Sequence, residues 1–295
     1  METTLKRTSL KSTGSRRNTR QQLGFALLTL LALFTVIPIL LVVALIFVRG
    51  FQTLSLEFIL DFPSEGMRAG GIFPAILGTV FLTFFTTLFA VPLGVAAAVY
   101  LSEYAPENRW TRLIRIAIIN LAGIPSIVYG LFGLGVFVLF FKLGTSILAA
   151  SLTLAIMTLP VIISTAEEAL RAVPQSFRVV SISLGATRWQ TIRRIVLPQS
   201  LPGILTGVIL GLERAAGETA PILFTGAAFY LPTLPGSPLD ATMALPYHLY
   251  VISTQVPGMP VEIQYGTALV LLILVLGLNL IATLIRARAR ARRQW

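Results

Sequence analysis

The chain has no cysteine, a single histidine (His248) and only three lysines, and charged residues make up 12% of its 295 positions. Without cysteine there are no disulfides and no thiolate metal sites. One histidine leaves no His-based metal cluster and no Ser-His-Asp triad. None of Lys6, Lys11 and Lys142 follows a glycine-rich turn of the G-x-x-x-x-G-K-[ST] form, so the chain carries no phosphate loop of its own and hydrolyses no nucleotide by that route. Soluble domains carry about 25% charged residues, and half that share with 55% hydrophobic residues marks an integral membrane protein. These absences predict no catalytic residue and no metal or cofactor bound by this chain.

What is present is a set of long apolar runs. Spans are expected at about 25–48, 72–101, 116–141, 147–163, 201–227 and 267–285, which makes an all-α membrane protein of six transmembrane helices. The first run is too long for a signal-peptide core and no A-x-A-like site follows it, so it is expected to be retained. Residues 1–22 form a polar tail with Lys6, Arg7, Lys11, Arg16, Arg17 and Arg20, which contacts anionic lipid and sets topology. A second basic tail, 286–295, holds Arg286, Arg288, Arg290, Arg292 and Arg293. The two tails, the 102–116 turn and the 166–198 segment hold 19 of the 23 Lys and Arg. That pattern puts both termini and both segments on the cytoplasmic side. The net charge of +11 therefore marks one membrane face and predicts no nucleic-acid partner.

Two stretches depart from plain apolar helix. In NLAGIPSIVYGLFGLG, Asn120, Pro125, Ser126 and Tyr129 sit among closely spaced glycines. Such a stretch either packs helices closely or lines a cavity where irregular backbone is tolerated. The fifth span holds Glu213, Arg214 and Glu218, with Arg214 near its middle. An Arg there costs about 2.5–3.5 kcal/mol to insert. Glu218, four residues on, is placed to pair with it, and Glu213 points elsewhere. The pair either holds helices together or forms a polar path for an anion.

The segment 166–198 is expected to be a compact knob. Glu168 and Arg171 can pair, Pro174 breaks and restarts the helix, and Gly185 offers a tight turn. Thr187 caps a short helix, Arg188–Ile195, closed by Pro198. Read without any likeness, it is also compatible with an ordinary basic interfacial loop.

Gly185, nine residues, then Ile195-Val196-Leu197-Pro198 resembles the EAA loop of ABC importer permeases, EAA-x3-G-x9-I-x-L-P. The chain departs where E-A-A is expected, with Val179, Val180 and Ser181. AGIPSIVYGLFGL (122–134), AAGETAPILFT (215–225), TAEEALRAVP (165–174) and GILTGVILGL (203–212) are similar to phosphate-importer permeases, the PstA type in particular, over roughly residues 70–285. The resemblance implies a type I, MetI-like permease domain over 23–285, multi-pass in the bacterial cytoplasmic (inner) membrane, with 166–198 as its coupling-helix loop. It implies that Gly185, Ala186, Thr187, Arg188 and Trp189 dock on an ATPase subunit dimer that binds ATP and Mg. It also implies a PstC-type permease partner, with which this chain forms a heterodimer, and an extracytoplasmic phosphate-binding protein. Arg214, Glu218, Glu213, Thr219, Ser126 and Tyr129 then become the substrate path. Arg214 attracts the anion, or gates by breaking its pair, and a carboxylate accepts a hydrogen bond from protonated phosphate, which sulfate has no proton to give. The competing readings are a proton-coupled anion carrier using Glu213 and Glu218, a permease for another oxyanion, and a membrane enzyme with few groups to work with. MALPYHLYVIS (243–253) is expected as a short helix on the outer surface, with its aromatics and His248 at the interface.

Overall fold

The computed structural model describes residues 14–291, with side chains from 21 to 288. The start of the basic N-terminal tail, 1–13, and the end of the C-terminal one, 292–295, lie outside the described residues. The elements in order are α1 (Gly14–Gly50), α2 (Leu56–Leu60), β1 (Pro63–Ser64), β2 (Ala69–Gly70), α3 (Phe73–Val99), α4 (Arg109–Ala122), α5 (Ser126–Gly133), α6 (Ile147–Arg171), α7 (Gln175–Ser183), α8 (Arg188–Thr191), α9 (Leu197–Gly217), α10 (Ala220–Thr225), α11 (Leu245–Thr254) and α12 (Val261–Ala291). The strands form one small antiparallel hairpin, Pro63 opposite Gly70 and Ser64 opposite Ala69. Short side chains open several helices. Ser55, Asn108 and Ser146 accept from the backbone N–H groups of Phe58, Thr111 and Ala149.

Among the described residues, five stretches are long and apolar enough to cross a membrane, and a bent pair, taken as one span, makes a sixth. The third span is that pair: α4 and the helix running from Ser126 to Phe140 meet at 103°. The break falls at Gly123-Ile124-Pro125, where Pro125 cannot extend the preceding ladder. Arg109, Arg112 and Arg115, expected in a turn over 102–116, instead lie on α4. Both tails are helical where described, from Gly14 and up to Ala291.

The core is built around α6, which packs against α3, α9, α4, α5 and α10. Lipid offers helices no hydrophobic drive to associate, so close backbone approach and cross-helix polar contacts do the work. α6 presents buried Ala149, Ala150, Ser151, Thr153, Ala155, Thr158 and Ala166. Glycines on its neighbours meet it: Gly94 and Gly211 face Ile162, and Gly203 and Gly207 face Ala169 and Thr165. Thr86 Oγ1 and Ser151 Oγ donate across the α3–α6 seam, to Ser151 O and Leu82 O, each at 3.5 Å. By contrast, the apolar stretch of α1 has none of its residues buried; α1 packs along α12 and offers the rest of its surface to lipid or a partner.

Helix α11 corrects an expectation. It forms where a short helix was anticipated, yet it is sunk into the protein rather than laid on its surface. Leu245, Tyr247, His248, Val251 and Ile252 are all buried. Thr79 Oγ1 of α3 accepts from Leu245 N–H at 2.8 Å, and Gly78 lies against the Met243 carbonyl, where any side chain would collide. His248 is 2% exposed, and its Nδ1 is a buried atom with no hydrogen-bond partner. Burial pushes its pKa down to about 4.

Two predictions follow from this packing. Ala at Gly207 drives a methyl into Thr165 and is expected to cost about 1–3 kcal/mol, whereas Ala at Gly277, with nothing within 4 Å, gains up to about 1 kcal/mol from helix propensity. Melting curves in detergent should move in opposite directions for the two variants. For His248, the unfolded chain takes up a proton near 6.5 and the folded one only near 4. Stability should therefore fall as pH drops through that window, by about 3 kcal/mol in total. His248→Phe should flatten the melting temperature across the same range.

Candidate translocation site and coupling knob

The fifth span is not one helix. α9 ends at Gly217, Glu218 is extended (φ −76°, ψ 139°), and α10 begins at Ala220 with Pro221 in its first turn. Arg214 lies in the last turn of α9, where a cation suits the exposed carbonyl end. Its Nε donates to Glu218 Oε1 at 3.3 Å. The expected pair therefore forms, although Glu218 has left the helix. The two side chains are 30% and 18% exposed, so the pair is only partly covered. Further down α9, Thr206 accepts from Arg286 near the charged end of α12. Arg214 is eight residues beyond Thr206, about 12 Å along the axis, and so towards the middle of a roughly 30 Å hydrocarbon layer.

The second break lies alongside. α10 packs on α5, with Gly130 so close to Ala220 O and Pro221 Cα that a methyl would stand 3.1 and 3.0 Å from them. Ser126 and Tyr129 open α5, and Thr219 immediately precedes α10. Tyr129 is buried, and its hydroxyl donates to Leu121 O at 2.7 Å, occupying a carbonyl freed by the break after α4. Arg214, Glu218 and Thr219 thus sit at one break, and Ser126 and Tyr129 start the helix that the other side of that break packs upon. Glu213 is not among them. It faces α12, where with Leu212, Ala216, Val275, Leu278 and Asn279 it lines a groove of about 210 Å³.

The knob forms as expected at its centre. Gly185 adopts φ +85°, a left-handed turn that suits glycine. Thr187 and Gln190 make a reciprocal capping box on α8. Ser181 and Thr191 hydroxyls, 2.8 Å apart, hold α7 to α8. Gly185, Thr187, Arg188 and Trp189 are exposed and Ala186 is half-buried. Beside them, Leu184 (83%), Val179 (61%) and Trp189 (56%) present an apolar surface to solvent, more than an unpartnered face normally shows. The helix from Arg188 does not stop at Pro198. A π-helical turn, Ile192–Val196, intervenes, with Leu197 N–H bonding five residues back to Ile192 O, and the chain runs on as one 30-residue stretch to Gly217. Proline removes a ladder bond and crowds the turn before it, and the widened turn accommodates that.

The ion pairs around the knob were largely missed in the sequence. Arg171 pairs with Glu167 and Glu107, each at 3.1 Å, rather than with Glu168. Arg115 binds Glu167 at 2.8 Å and Glu107 at 3.3 Å. Arg115's hydrogen bond, then its charge, with help from Arg171, holds the Glu107 carboxyl below its ordinary value. Arg178 binds Glu103 at 2.6 Å. The signal was the acidic SEYAPEN stretch (102–108) at the end of the second span, opposite the arginines of 166–198.

Broken spans packed beside an ion pair, with an exposed knob at the end of one of them, fit a membrane transport subunit. The chain belongs to the family of binding-protein-dependent transport system inner membrane components, whose profile matches residues 90–294. It is similar to the probable ABC transporter permease protein YqgI of Bacillus subtilis strain 168, 34% identical over 240 residues, 77% of this chain and 82% of that protein. It is also similar to the probable phosphate transport system permease protein PstA of Methanocaldococcus jannaschii, 33% identical over 243 residues, 82% of this chain and 85% of that one. Among solved structures, the inward-facing MetNI methionine ABC transporter shares the fold, with a TM-score of 0.60 and 20% identity over 77% of this chain and 99% of that one.

Proposed function

We propose that this chain is the permease subunit of an ATP-driven phosphate importer, supplying half of the transmembrane path. The observation that carries the reading is the Arg214–Glu218 pair at a helix break towards mid-membrane. Transporters place substrate sites at such discontinuous helices. Guanidinium grips an oxyanion through parallel hydrogen bonds, and the partner carboxylate accepts one from a phosphate that still carries a proton. The similarity to proteins named as PstA supports phosphate as the anion.

The partial exposure of the pair leaves room for a second, PstC-type permease subunit to complete the path. The apolar knob surface suits an ATPase subunit dimer, which would bind ATP and Mg, and the opposite face an extracytoplasmic phosphate-binding protein. The basic charge at the knob and at both tails supports termini on the cytoplasmic side. Arg214 and Glu218 carry the substrate in this reading, with Thr219, Ser126 and Tyr129 around them. Glu213, turned to α12, takes no direct part.

The test is uptake by the assembled transporter in sealed vesicles. Arg214→Gln should slow phosphate uptake about 10–100-fold, the loss of one charge-assisted bond. Glu218→Gln should let sulfate compete at least about tenfold better. Unchanged phosphate uptake and unchanged sulfate rejection would refute the assignment, and uptake driven by a proton gradient without ATP would replace it with a carrier. At the knob, Gly185→Asp puts a side chain on a left-handed residue and a charge on the apolar face. It should abolish co-purification of the ATPase in detergent while the permease still folds.

A further inference from the structure

The knob lacks the acid of its own motif, since Val179 stands there and is exposed. The acid that the knob does engage comes from elsewhere. Glu103 lies in the π-helical turn Tyr100–Tyr104 that ends α3, and it is 7% exposed. Both arms of the knob grip this point. From α7, Arg178 donates to both Glu103 carboxylate oxygens, at 2.6 and 3.2 Å, and to the carbonyls of Leu170 and Val173 at the end of α6. From α8, Arg188 donates to the backbone oxygen of Glu103 and stacks its guanidinium 5.1 Å over the Tyr104 ring.

Around these contacts the knob and α3 are only partly packed, with Val95, Ala98 and Val99 of α3 sharing one apolar cluster with Phe177 of α7 and Val196. Beside that cluster lies a hollow of about 730 Å³, lined by Ser102, Glu103 and Glu107 on one side and by Gln175, Ile182 and Thr191 among others on the knob side. An apolar seam transmits a push through many weak contacts. Here a hollow interrupts the seam, and at its wall the bidentate Arg178–Glu103 bridge with the Arg188 contact supplies a directional link. Arg178 and Glu103 are each largely buried, at 13% and 8% side-chain exposure. Losing one partner therefore strands the other.

We propose that Glu103 is the positioning residue of the coupling knob: it fastens both knob helices to the end of α3, so that movement of the knob drives α3 directly as well as α9. This rests on the proposed importer function for its meaning, but its geometry can be read without transport. α3 packs along α6 and α9 and carries Thr79, which holds α11, so a pull at Glu103 reaches the outer end of the bundle.

The experiment uses the assembled transporter in vesicles, with phosphate uptake and ATP hydrolysis measured on the same sample. Glu103→Gln should lower phosphate moved per ATP hydrolysed at least about tenfold, while the ATPase still co-purifies. The double charge reversal Glu103→Arg with Arg178→Glu should restore part of the ratio. An unchanged ratio in Glu103→Gln overturns the proposal. The second readout needs only the purified full chain. Because the chain has no native cysteine, spin labels on cysteines introduced at the exposed positions Tyr100 and Ser183 report the α3–knob distance. That distribution should be narrow in the parent, broad in Glu103→Gln and narrow again in the double reversal. A distribution that Glu103→Gln leaves unchanged also overturns the proposal. If the parent transporter fails to move phosphate with ATP, the importer reading falls, and the distance measurement still decides whether Glu103 holds the knob.

Discussion

Inside hydrocarbon, a backbone amide has nothing to bond except protein, so an interrupted helix survives there only where another part of the chain covers the interruption. That constraint shapes the centre of this molecule. The breaks at 123–125 and 218–219 are covered by each other's helices: α10 lies on α5 at van der Waals distance, and Tyr129 reaches back to a carbonyl released at the end of α4. Once two breaks are held side by side, a cation and a carboxylate can be kept at depth with most of their surface covered by protein. Arg214 and Glu218 occupy that place.

The helix that carries Arg214 also carries the knob. From Arg188 through the π-helical turn to Gly217 the chain is a single rod of 30 residues, about 45 Å long. Trp189, exposed at one end, and Arg214, at the break near the other, are therefore parts of one stiff element. α6 lies along it, joined by small residues that let the backbones touch.

The six spans, the Gly185 turn, the Thr187 cap and the Arg214–Glu218 pairing were legible in the sequence, because each follows from local composition or from short, fixed spacing. The angle between α4 and α5 was not. Gly123 and Pro125 signal an interruption, but its 103° bend depends on what packs on either side. The end of α9 at Gly217 was missed because apolar residues continue through the break, and hydropathy does not register a change of ψ. α11 read as interfacial since Tyr247, His248 and Tyr250 are amphipathic. The burial of Tyr247 and His248 depends on Gly78 and Thr79, more than 160 positions away. The grip on Glu103 was hidden for the same reason: acid and arginine belong to different segments, and no spacing rule joins them.

The three π-helical turns among the described residues, Tyr100–Tyr104, Leu134–Phe140 and Ile192–Val196, each lie where a membrane helix ends or changes surroundings. Such a turn holds one residue more than the regular ladder would, and in an α-helix one residue corresponds to about 100° of rotation. The turn at Ile192–Val196 therefore sets the azimuth of everything before it relative to everything after it. The direction in which the knob faces around the axis of α9 is a matter of phase, encoded by the number of residues rather than by their chemistry. A chain one residue shorter there would keep every side chain of the knob and of α9 and aim the knob about a quarter of a circle away from Glu103.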